Sequence, residues 1–173
     1  LGCTRVAAPA IGADAPLDLL RAGERYKQLL DLGRKTGVMP QLEFWGAYPA
    51  FFHLAQALAV AAAADDPDAK ILADVYHLFR GGSGFEGLKL VNGQAISIFH
   101  LNDFPGDILR TNQQDKDRVF PGDGAAPMQA LADTLRAKGG QIVLSLELFN
   151  PNYYAMDANY VAKTGLEKMK RFF

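Results

Sequence analysis

Four short apolar segments each carry one ionisable residue near the carboxyl end: Glu43 in QLEFWG, Asp74 in ILADVYH, His100 in ISIFHLND and Glu147 in VLSLELF. Charge inside a buried strand is costly unless it is paired or bound to a metal. Taken singly, either glutamate could be half of a buried ion pair, and His100 could be a satisfied core histidine. Four such residues at corresponding places form a constellation, and a single divalent-metal site is the better reading. Three carboxylates and one imidazole favour Mn²⁺, Mg²⁺ or Co²⁺, admit Zn²⁺ and disfavour soft copper.

The surrounding pattern says how such residues would converge. Apolar runs at Thr4–Ala8, Met39–Phe44, Lys70–Tyr76, Gln94–Leu101 and Gln141–Leu148 read as strands. Between and after them, helical spacing occupies Pro16–Lys35, Pro49–Ala64, a brief stretch at Phe85–Val91, Pro127–Lys138 and Asp157–Phe172. Strands apolar on both faces that alternate with helices predict a parallel sheet with covering helices, either doubly wound or part of a β/α barrel. In both cases the working site lies at the carboxyl ends of the strands, where all four residues fall.

Composition narrows the class. The 173 residues are 49% hydrophobic with a net charge of −1, as expected of one ordinary domain spanning 1–173 and without the basic excess of a nucleic-acid surface. One cysteine, Cys3, excludes internal disulfides and cysteine-built metal clusters. The longest apolar run, Phe51–Ala64, is too short to span a bilayer. No membrane partner is expected. A cytoplasmic setting is favoured, with a removed export signal left open, and a homo-oligomer is compatible with the sequence.

The succession LEFWG, ADVYHL, IFHLND, DRVFPGDG and LSLELF resembles the xylose-isomerase-like TIM-barrel family of sugar isomerases and epimerases, over nearly the whole chain. The resemblance implies one divalent ion held by Glu43, Asp74, His100 and Glu147, with His77 and Arg118 contacting a sugar or sugar-derived substrate. It implies proton transfer alpha to a carbonyl through an enediolate stabilised by the ion, with Glu43 and Glu147 as the acid/base pair. Asp103 is expected to bind substrate, orient Arg118 or make a structural hydrogen bond. Phe44, Trp45 and Phe104 are candidate apolar walls. A closed barrel of this kind needs about 250 residues. The chain is therefore read as the carboxyl-terminal part of an incomplete barrel, roughly strands four to eight. Expressed alone, it is expected to be unstable or to pair with another chain through its sheet edges.

Other readings compete. A keto-inositol dehydratase would use the same metal site. An abasic-site endonuclease of the same fold needs further histidines, and Asp117-Arg118-Val119 lacks the one expected there. A nucleotide-binding module could use Gly82–Gly87, a literal G-x-G-x-x-G, but His77–Gly81 separates it from the preceding strand. The loop DKDRVFPGDG at 115–124 fails as an EF-hand, because Phe120 and Ala126 stand where glycine and glutamate are required. It also lacks the G-K-[ST] ending of a phosphate loop. It reads instead as a lid-like loop, anchored by Val119-Phe120, that aims Arg118 at substrate with Asp115 and Asp117 as orienting partners.

Overall fold

The computed structural model describes residues 2–13 and 15–173. Five parallel strands form one sheet in sequential order: β1 (Arg5–Pro9), β2 (Met39–Glu43), β3 (Ile71–Asp74), β4 (Ile96–Leu101) and β5 (Val143–Leu146). Sequential parallel order requires each connection to return over one face, and helices do so. These are α1 (Leu19–Thr36), α2 (Leu54–Ala63), α3 (Val75–Arg80) and α4 (Met128–Ala137), while α5 (Pro151–Tyr154) and α6 (Ala158–Met169) follow the last strand. The result is a half-barrel with β1 and β5 at its two edges. Among the described residues, no helix is long and apolar enough to cross a membrane.

Local chemistry sets the element ends. The Asp18 carboxylate accepts the Leu20 and Arg21 N–H groups and starts α1, so Pro16 and Leu17, expected to be helical, lie outside it. Gly37, at φ 75°, supplies the left-handed residue that ends α1. The helix expected from Pro49 starts only at Leu54, where His53 Nδ1 accepts the Ala55 N–H and Gln56 bonds back to the His53 N–H. The strand expected to reach Tyr76 stops at Asp74, whose carboxylate accepts the His77 N–H and caps α3. The brief helix near Phe85 is a 3₁₀ turn over Glu86–Leu90.

Packing fixes the frame beneath the site. Leu30 and Tyr26 of α1, Val60 of α2, Ile71 of β3 and Phe99 of β4 are buried in one core with Leu131 and Leu135 of α4. Helices α1 and α2 approach closely at Gly23, where an added Cβ would lie 2.5 Å from the Ala63 Cβ. The Tyr26 hydroxyl donates to the Lys70 carbonyl at 2.6 Å and accepts the Lys70 N–H at 3.1 Å, tying α1 to the start of β3.

Candidate metal centre

Strand register delivers the four ionisable residues to one place. Glu43 and Asp74 are the last residues of β2 and β3, His100 is next to last in β4, and Glu147 follows β5. Asp74 pairs in register with His100, and the Glu147 N–H extends the β4–β5 ladder by donating to the Leu101 carbonyl. His100 Nδ1 lies 3.3 Å from Glu43 Oε1, 3.2 Å from Glu147 Oε2 and 3.9 Å from Asp74 Oδ2. One ligand atom from each of Glu43, His100 and Glu147 falls within a 4.8 Å group. Asp74 adjoins this group with its oxygens engaged. Oδ1 accepts the His77 N–H, while Oδ2 accepts Asn102 Nδ2 at 2.7 Å and Arg118 Nη1 at 3.4 Å.

These residues fit a hard divalent cation. Glu43 Oε1 and His100 Nδ1 are buried, yet neither makes an aligned hydrogen bond. Buried polar atoms left in that condition are rare and call for a further partner. Charge points the same way. Burial pulls the His100 imidazole down, but Glu147 and Glu43 outweigh it and push His100 up to about 10. Burial raises Glu147, but His100 and Arg118 win and hold it at about 2. A cation entering here would displace the His100 proton, which makes metal uptake proton-coupled.

Beside this group lies a cavity of about 390 Å³. Trp45, Tyr48 and Phe149 form its apolar walls, and His77, Asp115, Arg118 and Glu147 its polar lining. His77 Nδ1 accepts the Gly46 N–H at 3.1 Å, so in the neutral ring Nε2 carries the proton. Nε2 stands 3.2 Å from Arg118 Nη2, itself a donor. Neither donor satisfies the other, and an acceptor placed beside the pair could bond to both. Trp45 stacks on His77, with ring centroids 6.4 Å apart. A larger cavity of about 500 Å³ opens at the amino ends of the strands, among Arg5, Met39, Lys70 and Ile96, and contains none of the four centre residues.

Arg118 is buried, with its charge balanced on three sides. Nη1 donates to Glu147 Oε2 at 2.6 Å and to Asp74, Nη2 pairs with Asp115, and the guanidinium carbon lies over the Tyr76 ring at 4.5 Å and over the Phe149 ring at 5.1 Å. Burial lowers its pKa, but Asp74, Glu147 and Asp115 outweigh that and hold it above its ordinary value.

Asp103 is not brought to this cavity. It is fully buried, and its carboxylate accepts the N–H groups of Phe104, Gly122, Gly124 and Ala126. Its backbone also exchanges two hydrogen bonds with Val119. Of its three expected roles, the hydrogen bonds are those of a structural hub for the loop that carries Arg118. Phe44 is core, and Phe104 stacks on Phe79 at 3.7 Å, so neither is a cavity wall, whereas Trp45 is one. Asp117 turns back to accept the Gln114 N–H, leaving Asp115 as the partner of Arg118. The Gly82–Gly87 stretch follows helix α3 and runs into a 3₁₀ turn, so it lacks the strand and long helix a pyrophosphate site requires.

Sequence reading missed Asn102, whose amide holds Asp74 and accepts the Tyr76 N–H at 2.9 Å. It also missed Asn150, which donates to the Arg118 carbonyl while capping α5, and Phe149, which follows the LEL motif closely enough to have been considered.

A parallel β/α sheet with a carboxylate–histidine centre at its carboxyl edge defines the class as a TIM-barrel-type fold carrying a candidate metal site. The family model described as "Xylose isomerase-like TIM barrel" matches residues 1–172, and the chain belongs to that family. It is 33% identical to an inosose isomerase of Bacillus licheniformis over 148 residues, which is 83% of this chain and 52% of that protein. The inosose isomerase of Bacillus subtilis is also 33% identical, over 79% of this chain and 49% of its own. The chain thus spans about half the length of the curated relatives it matches. A crystal structure of IolI protein with a binding zinc atom superposes with a TM-score of 0.89 at 27% identity, covering 100% of this chain and 65% of that one.

Proposed function

We propose that the protein is a divalent-metal-dependent sugar isomerase or epimerase, its five strands corresponding to strands four to eight of the barrel. The observation that carries this reading is the convergence of Glu43, His100 and Glu147, with two buried atoms lacking aligned partners, beside a cavity that presents paired donors. Similarity to inosose isomerases and to the zinc-containing IolI protein supports it.

Glu43, His100 and Glu147 would hold the ion, with Asp74 adjoining. When bound, the ion supplies Lewis acidity, polarising a substrate carbonyl and stabilising negative charge as an alpha proton leaves. Glu43 and Glu147 come from β2 and from the end of β5, so they reach the reacting carbons from different strands. One takes the proton and the other returns one. Glu147 is ionised at neutral pH, the state a base needs before it accepts a proton, while His100 and Arg118 lower its proton affinity. His77 and Arg118 hold a substrate oxygen placed beside their paired N–H groups, and Trp45 covers the apolar side of the ligand.

The test is exchange of the substrate's alpha proton with solvent deuterium, followed by NMR in the Mn²⁺- or Mg²⁺-loaded protein. Glu147→Gln should slow exchange by about 100-fold or more, the usual scale for losing a positioned acid/base group. Exchange at the wild-type rate in that variant would remove Glu147 from the proton-transfer step.

A further inference from the structure

Arg118 is the one Lys or Arg side chain among the described residues lining the cavity, and its charge is already taken. Nη1 is committed to Glu147 and Asp74, and one N–H of Nη2 to Asp115, which leaves the other facing His77. His77 adds no fixed charge in the tautomer set by the Gly46 N–H. Three carboxylates, Asp74, Asp115 and Glu147, therefore face one guanidinium, and a fourth, Glu43, adjoins them across His100. A divalent ion on the centre would still leave one carboxylate in excess.

Among these acids, Asp115 occupies a distinct position. Glu43 and Asp74 are buried at strand ends, whereas the Asp115 side chain is 51% exposed and lies on the cavity rim. It sits on a single 3₁₀ turn, Asp115–Asp117, held by reciprocal bonds between Gln114 and Asp117. An incoming ligand thus meets a carboxylate at the mouth, and that carboxylate also occupies the arginine that could have paired with an anion. Phosphate recognition ordinarily needs free, convergent donors such as an uncommitted Arg fork or a helix N-terminus.

We infer that Asp115 is a specificity-determining residue, a charge filter that admits neutral keto-sugars or cyclic polyol ketones and turns away their phosphorylated counterparts. This rests on reading the cavity as a keto-sugar site. The filter works in two ways: direct repulsion of a dianion at the rim, and neutralisation of the Arg118 charge by the Asp115 carboxylate that takes one Nη2 N–H.

The chain's single tryptophan reports on the cavity without requiring turnover, because Trp45 lines it and stacks on His77. Mg²⁺-loaded wild-type and Asp115→Asn proteins are titrated with a neutral ketohexose, its 6-phosphate and inorganic sulfate while Trp45 emission is followed. In wild type the neutral ketose should bind at least about tenfold more tightly than the 6-phosphate, the scale on which an unfavourable like-charge contact acts. Asp115→Asn should narrow that ratio severalfold and allow sulfate to perturb Trp45 where wild type shows no response. A 6-phosphate that binds wild type as tightly as the neutral ketose overturns the filter. So does a sulfate response equal in both proteins. A ketose that leaves Trp45 unmoved, while sulfate still separates the two proteins, overturns the keto-sugar reading and supports the filter.

Discussion

Asn102 shows how much of the candidate site rests on residues that carry no chemistry of their own. Its amide nitrogen donates to Asp74 Oδ2, and its amide oxygen accepts the Tyr76 N–H, so one buried side chain locks the end of β3 to the end of β4. Groups that orient a ligand are worth roughly 10- to 100-fold in metal affinity, and Asn102→Ala should weaken Mn²⁺ binding by about that factor. Competition against a chelating indicator dye measures it, with wild-type affinity counting against the role. At this scale the charged residues were legible in the sequence, because Glu43, Asp74, His100 and Glu147 interrupt apolar runs where charge is costly. Asn102 and Asn150 were not legible. An amide in a loop looks the same whether it faces water or holds a carboxylate, and only its partner distinguishes the two. Asp103 was seen but not resolved, since its partners are backbone N–H groups about twenty residues further along the chain.

Element boundaries were legible where a local signal was strong. Strand positions followed from five- to eight-residue apolar runs, and α1 from its periodic leucines. Helix α3 escaped because KILADVY runs on as apolar and β-prone through Val75 and Tyr76. What ends the strand is the Asp74 side chain, at once a helix cap and a neighbour of the metal group. Between elements, Asp66 links α1 to the α2–β3 connection. Its carboxylate accepts from Arg34 and Lys27 of α1 and from the Asp68 N–H. Arg34 above all holds that carboxyl well below its ordinary value of 3.8. A group with a depressed folded pKa stabilises above its unfolded pKa and loses that contribution as pH falls below it. Asp66→Asn should therefore be less stable than wild type at neutral pH, with the difference shrinking as pH drops below 3.8. Thermal unfolding from pH 7 downwards would show this convergence, and curves that stay parallel would rule out the linkage.

Across the molecule, the candidate ligands come from residues 43, 100 and 147, so an ion at the centre would tie β2, β4 and the end of β5 together. A ligand that binds only the folded state stabilises it by mass action, about 2.7 kcal/mol at 100 times its dissociation constant. Adding Mn²⁺ to that level should raise the melting temperature, chelator should reverse the shift, and His100→Ala should abolish most of it. A melting point indifferent to Mn²⁺ in the wild type would count against the centre. At the carboxyl edge of the same sheet, the Pro-Gly-Asp-Gly turn is fixed by the N–H bonds that Gly122, Gly124 and Ala126 make to Asp103 and by the Val119 bridge. A segment ordered in this way has lost its conformational entropy during folding, so little remains to be lost when a ligand arrives. Binding beside Arg118 would then cost this segment little further ordering.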